Sequence, residues 1–239
     1  MNSRSVQVKH FFDKTHLYLN KDSGVSIRAL IVRELLGELS HSRILDLGCG
    51  NGRISLQYIS RTNHLTLVDL SNNMLEIAMK NTPETLKTNV RYINTDLQHY
   101  ESREKFDVVI CIGVLAHVVS VRETIAKVAR LLKPSGRCIF QITDADQYLG
   151  KFIVNFYRVH DFVLHSRGYS VNKTHLSYIT DTAYFNRLVF LDKRQYWSIL
   201  PGMGKMPNAW LWKYQFFTLT HSLLLHMGSE VIVCYVKES

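Results

Sequence analysis

Short apolar runs, each closed by turn residues, alternate with helical periods along the chain. Residues 43–47, 64–69, 89–94, 106–112 and 137–143 read as strands, and residues 106–112 are almost wholly apolar, as for a strand buried on both faces of a parallel sheet. Between them, Ser71 is placed to cap a helix over 72–81 with Met74, Leu75, Ala78 and Met79 on its apolar stripe, and a second helix over 121–132 stops at Lys133-Pro134-Ser135-Gly136. A helix over 26–39 leads into the first strand. Beyond residue 144 the pattern predicts a helix within 170–184, capped near Asn172 or Thr174, a sixth strand over 188–197, a loop rich in Pro and Gly over 198–207, a helix over 208–227 and a closing strand over 230–236. This alternation predicts one α/β domain: a doubly wound, mostly parallel seven-stranded sheet with helices on both faces. Its parts are an N-terminal lid and helix (1–42), a core (43–144) and a roof with the last strands (145–239).

The sharpest local signal is Asp46-Leu47-Gly48-Cys49-Gly50-Asn51-Gly52. It places an acid at a strand end, then glycines at alternate positions where side chains would keep a ligand from the backbone amides. The spacing is one residue short of the G-x-G-x-x-G loop that receives a dinucleotide pyrophosphate, which disfavours a nicotinamide enzyme. Asp46 would repel a pyrophosphate and attract an ammonium. Asp69, at the end of the second strand, is suited to accept both hydroxyls of a ribose.

Residues 43–143 resemble the core of the class I S-adenosylmethionine-dependent methyltransferases. The likeness rests on that loop, Asp69, Asp96-Leu97, Phe106-Asp107-Val108-Val109-Ile110, Gly113-Val114-Leu115-Ala116-His117-Val118 and Leu131-Leu132-Lys133-Pro134-Ser135-Gly136. It implies S-adenosylmethionine as cofactor. Gly48, Gly50 and Gly52 would pack against its methionine part with Asp46 near the amino group, and Asp69 would hold the ribose. Asn73 or Met74 would lie along the nucleoside, while Asp96 would take the adenine amine with Leu97 against the ring. Ile112 and Gly113 would flank the methionine and face the methyl. Cys49 and Leu70, inside the two turns, join the cofactor-contacting set. Core packing explains Met74, and a small buried residue explains Cys49, as well as any ligand contact.

The flanks bear on the acceptor. Residues 8–20 look like a segment folded over the cofactor, with Tyr18 placed to orient a substrate or to pack as an aromatic wedge. Tyr148, Phe152 and Phe156 give a helix with one aromatic face, expected to roof the substrate pocket. His117 is the best-placed base for a hydroxyl nucleophile. No Asn/Asp-Pro-Pro-aromatic tetrapeptide follows the fourth strand, which argues against methylation of nucleic-acid bases. The net charge of +9 is spread out, with Lys193-Arg194 the only adjacent Lys/Arg pair, so a nucleic-acid stripe is not expected. The scattered cysteines lack metal-ligand spacing, and the chain reads as cytoplasmic without a structural metal. The 208–227 helix would cover the sheet, form a homodimer contact or lie on a membrane surface.

These features favour methyl transfer to oxygen, or next to nitrogen, of a small, partly hydrophobic metabolite. The alternatives are a methyltransferase acting on a protein, a carrier-bound intermediate or RNA, and a non-methylating cyclase or scaffold that keeps the cofactor site.

Overall fold

Ahead of the first strand stand helix α1 (Ser3–Asp13) and helix α2 (Asp22–Leu36). A computed structural model of the chain describes residues 3–13, 22–144, 172, 174–196, 206–220 and 230–239. Helix α2 ends where Gly37, at φ +67°, donates its N–H to the Arg33 carbonyl, a left-handed C-terminal cap. Then come β1 (Arg43–Leu47), β2 (His64–Asp69), α3 (Asn72–Asn81), β3 (Val90–Asn94), β4 (Phe106–Cys111), α4 (Val121–Leu131) and β5 (Leu132–Thr143). Helix α5 (Leu176–Phe185), β6 (Leu188–Tyr196), α6 (Asn208–Thr220) and β7 (Glu230–Lys237) complete the described chain. Ser71 caps α3 as its position predicts, accepting from the Met74 N–H at 3.3 Å.

The seven strands form one sheet in the order β3-β2-β1-β4-β5-β7-β6, and β7 runs antiparallel to both of its neighbours. From β1 the chain winds outward to β2 and β3, then returns to lay β4 on the other side, so the reversal falls between β1 and β4. In doubly wound sheets a ligand crevice opens at that place, over the C-terminal ends of the strands.

Strand alternation sorts the apolar residues into two layers. Ile44, Leu67, Ile110, Ile139 and Ile232 face one side and pack with Ile27, Ile31 and Val32 of α2. Leu45, Val109, Phe140 and Val233 face the other, against Ile125 and Val128 of α4 and Ile179 and Ala183 of α5. Fully burying one such side chain stabilises the fold by about 1.5–3 kcal/mol, so the central strands form a rigid floor.

Three elements differ from the sequence pattern by more than a residue at a boundary. Helix α2 begins at Asp22, ahead of 26, and ends at Leu36, short of 39. Helix α5 begins at Leu176, with His175 rather than Asn172 or Thr174 at its N-cap. Strand β5 begins at Leu132, ahead of 137: Phe106 pairs with Leu132 and Val108 with Arg137, so residues 133–136 bulge out of a ladder that resumes after them. The roof residues Tyr148, Phe152 and Phe156, and residues 221–227 of the expected last helix, lie outside the described residues.

Candidate active site

Asp46 is the one charged residue within the buried stretch of β1 and is only 3% exposed. Burial pushes its carboxyl up to about 7; a hydrogen bond from Ser55 opposes this and the nearby Asp69 carboxylate adds to it. Asp69 closes the loop from the neighbouring strand. Its Oδ2 accepts the Gly50 N–H at 2.7 Å and its Oδ1 accepts the Ser71 N–H at 2.8 Å. Burial also raises the Asp69 pKa, against the backbone donors of Ser71, Gly50 and Leu70. A carboxylate has about four lone-pair sites, so the three backbone donors leave Asp69 capacity for a ligand hydroxyl.

The three loop glycines do different work. Gly50 sits at φ +54° with nothing within 4 Å of where a Cβ would stand, leaving open space above the acids. A Cβ on Gly48 would run into the Val114 side chain and one on Gly52 into Leu56, so these two serve packing. Cys49 is buried and its thiol pKa is driven well up by burial, which makes it a packing residue rather than a nucleophile. Leu70 donates its backbone N–H to Asp69 and Met74 is fully buried in α3, so the Met74 side chain belongs to the core.

Helix α1 lies across the β2 and β3 ends of this rim. Asp13 Oδ1 accepts from Ser71 Oγ at 2.6 Å, and its carbonyl accepts from Asn73 Nδ2 at 3.1 Å. Ser5 donates its hydroxyl to Asp96 Oδ2, while Asp96 Oδ1 accepts the Gln98 N–H at 3.0 Å. Lys127 of α4 holds the turn beyond Asp96, its ammonium bonded to the carbonyls of Leu97, Gln98 and Tyr100. Leu97 packs partly buried against the apolar core. Ser5, which the sequence pattern did not single out, thus occupies the acid assigned to the adenine amine. Tyr18 lies outside the described residues.

At the end of β4, Ile112 turns into the core, while Gly113 at φ +73° marks an open edge. A Cβ there would stand 3.7 Å from Arg28 Nη1 and 3.9 Å from Gln141 Oε1. Neither residue was legible in the sequence as part of a site. His117 lies in the turn that follows, its N–H bonded to the Val114 carbonyl at 2.8 Å. Its ring meets Phe12 of α1 edge to face at 5.4 Å, and its carbonyl accepts from Arg4 Nε at 3.0 Å. His117 is therefore grouped with α1, whereas Gly113 is grouped with Arg28 and Gln141.

Along the strand ends the rim presents a buried acid with a pKa near 7, a second buried acid beside open backbone, and a third acid at β3. The cofactor implied by the resemblance carries an ammonium, a ribose diol and an adenine amine, and these three acids as acceptors fit it. A cation lies by Gly113 as well, suited to a carboxylate.

A family model described as a methyltransferase domain matches residues 38–166, more than half of the chain. A ubiquinone biosynthesis O-methyltransferase of Rickettsia akari is 33% identical over 101 residues, covering 42% of this chain and 40% of that protein. A malonyl-[acyl-carrier protein] O-methyltransferase of Halalkalibacterium halodurans is 29% identical over 168 residues, covering 64% of this chain and 57% of that protein. The matched parts are thus less than two thirds of either relative. Among solved structures, an S-adenosylmethionine-dependent methyltransferase of Thermotoga maritima, described as a possible histamine N-methyltransferase, superposes with a TM-score of 0.65 at 16% identity, over 96% of this chain and 99% of that one. Magnesium protoporphyrin IX methyltransferase of Synechocystis, with bound S-adenosylhomocysteine, gives 0.63 at 15% identity, over 99% and 100%. At these identities the likeness is one of fold.

Proposed function

Because the chain belongs to the methyltransferase-domain family, we propose that it is an S-adenosylmethionine-dependent methyltransferase that methylates oxygen, or next nitrogen, of a small, partly hydrophobic metabolite. The observation that carries this is the order of acids along the rim: Asp46, Asp69 and Asp96, at successive strand ends, match ammonium, ribose and adenine in sequence. Oxygen is favoured over nitrogen because the two relatives quoted are named as O-methyltransferases.

When bound, the cofactor supplies a methyl on a positively charged sulfur, open to in-line displacement. The chain's own part is placement. Asp46 neutralises the ammonium, Arg28 takes the methionine carboxylate, and Asp69 orients the ribose while bracing the Gly50 amide. Asp96 gives up its bond from Ser5 to the adenine amine. His117, with Phe12 against its ring, serves as the base that receives the acceptor's proton, and Tyr18 shares the acceptor end. The whole chain acts as one domain, and its four buried free cysteines support a reducing, cytoplasmic setting. Among the described residues no helix is long and apolar enough to cross a membrane.

Calorimetric titration with S-adenosylmethionine, S-adenosylhomocysteine and NADH tests the reading. The expected result is micromolar binding of both adenosyl ligands and none of NADH; loss of S-adenosylhomocysteine binding in Asp69→Asn places the site. A wild-type chain that ignores both adenosyl ligands would sink the proposal.

A further inference from the structure

Beside the cofactor contacts lies a buried polar cluster of which they use only Arg28. Gln141 of β5 donates from Nε2 to Tyr196 Oη and to Glu230 Oε2, both at 2.8 Å. Thr143 Oγ1 donates to Glu230 Oε1 at 2.8 Å, and Arg28 Nε donates to Tyr196 Oη at 3.2 Å. An ionised carboxylate only accepts, so Glu230 fixes which way the Gln141 amide points. Its Nε2 hydrogens are committed, and its Oε1 is turned away from Glu230. That oxygen is buried and has no hydrogen-bond partner among the described residues, and it stands 3.9 Å from the Cβ position of Gly113. Gln141 itself is only 6% exposed. A buried carbonyl oxygen left without a donor is uncommon in folded proteins and calls for a partner beyond the described residues.

We propose that Gln141 Oε1 is the docking point of the acceptor substrate, receiving a hydrogen bond from a hydroxyl or N–H next to the atom to be methylated. Glu230 is the positioning residue that holds the amide in that orientation. The inference rests on the methyltransferase reading and narrows its substrate class. An acceptor that brings a donor, such as a phenol or catechol, satisfies the carbonyl. A carboxylate acceptor would set lone pairs against the Gln141 oxygen, close to the Glu230 carboxylate, with Arg28 assigned to the cofactor's own carboxylate. Catechols fit best, because one hydroxyl can be methylated while its neighbour stays bonded to Gln141.

The test titrates 4-tert-butylcatechol and octanoate into the full chain saturated with S-adenosylhomocysteine. The expected result is that the catechol binds and octanoate does not. Gln141→Met, close in shape but without the acceptor, should weaken catechol binding at least tenfold and leave S-adenosylhomocysteine affinity within twofold. Glu230→Gln supplies a second readout. Burial raises the Glu230 pKa from its ordinary value, with Arg28 of α2 the facing charge, Tyr196 of β6 the other ionisable neighbour and Gln141 and Thr143 of β5 its hydrogen-bond partners among the described residues. Once protonated, Glu230 can donate, and the amide can turn its oxygen inward. Catechol affinity should therefore fall in the wild type as the pH is lowered through the titration of Glu230 and stay flat in Glu230→Gln.

Three results overturn the proposal: unchanged catechol affinity in Gln141→Met, a tenfold loss of S-adenosylhomocysteine affinity in that variant with an unchanged melting temperature, or a wild type that binds octanoate or neither probe. Should Gln141→Met fold poorly, a wild-type pH profile that matches Glu230→Gln overturns it instead. A wild type that does not bind S-adenosylhomocysteine is a separate outcome, which defeats the methyltransferase reading and this inference together.

Discussion

The titration of Asp46 gives its proposed contact with the ammonium a direct test. Without a ligand, burial holds its carboxyl at about 7 against an ordinary 3.8. The folded chain therefore keeps a proton that the unfolded chain releases, and Asp46 makes folding less favourable as the pH rises from about 4 to about 7. A bound ammonium reverses this preference, because it needs the ionised carboxylate and expels the proton. Cofactor affinity should thus rise about tenfold per pH unit on approaching pH 7 from below and level off above it. Calorimetry with S-adenosylhomocysteine, in buffers of different ionisation enthalpy, measures both the slope and the released proton. Asp46→Asn should flatten the slope; a wild type with no proton release below pH 7 would move the ammonium away from Asp46. Asp46 and Asp69 were legible in the sequence because each is a lone acid ending an apolar run. Arg28, Gln141 and Glu230 were not, because they come from three distant segments and meet only once β5 and β7 pair. The one hint was Gln141 itself, a single polar residue inside Cys138-Ile139-Phe140-Gln141-Ile142.

Helix α1 is held across the site mainly by polar contacts. Ser5 is its only buried residue, and Arg4 anchors it on the carbonyls of Ala116 and His117 and on Asn172 Oδ1. Elements with so little apolar burial open locally at low free-energy cost. Arg4→Ala removes hydrogen bonds worth about 0.5–1.5 kcal/mol each. Hydrogen exchange at residues 3–13 should speed up several-fold to about tenfold, while the amides of β1 and β4 keep wild-type rates. Equal exchange in both proteins would mean that the helix is anchored elsewhere. The sequence marked this region as a lid but centred it on residues 8–20, because the phenol of Tyr18 drew attention and the short polar contacts of Arg4 and Ser5 leave no periodic trace. Strand β5 shows a related limit. Pro134-Ser135-Gly136 reads as a turn, and the chain does bulge there, with Ser135 at φ 60°; only the pairing of Phe106 with Leu132 reveals that the strand begins before it. Parallel strands with near-continuous apolar runs were placed almost to the residue, since their burial on both faces leaves the pattern little freedom.

For the whole molecule, the outward surface of α6 joins charge to hydrophobicity. Leu211 and Thr218 turn inward, and α6 packs chiefly on α2. Trp210 (63% exposed), Trp212, Phe216 and Phe217 face outward. Lys213 lies among them with its ammonium 5.9 Å from the Trp210 ring, and the helix contains no acidic residue. Indole rings favour the interface between water and lipid, where an apolar body and a polar N–H are both satisfied. A chain of net charge +9 is drawn to an anionic surface, whereas a two-fold contact through α6 would bring two like-charged surfaces and two copies of Lys213 together. Such a face is suited to rest on an anionic bilayer. Co-sedimentation should show binding to vesicles containing phosphatidylglycerol and little binding to phosphatidylcholine alone. Raising the salt should weaken it, and Lys213→Ala should lower the partition coefficient about fivefold, the equivalent of about 1 kcal/mol. Trp210→Ala should lower it further through lost apolar burial. Should the chain ignore both kinds of vesicle and sediment instead as a dimer that Trp210→Ala dissociates, the face belongs to a second copy.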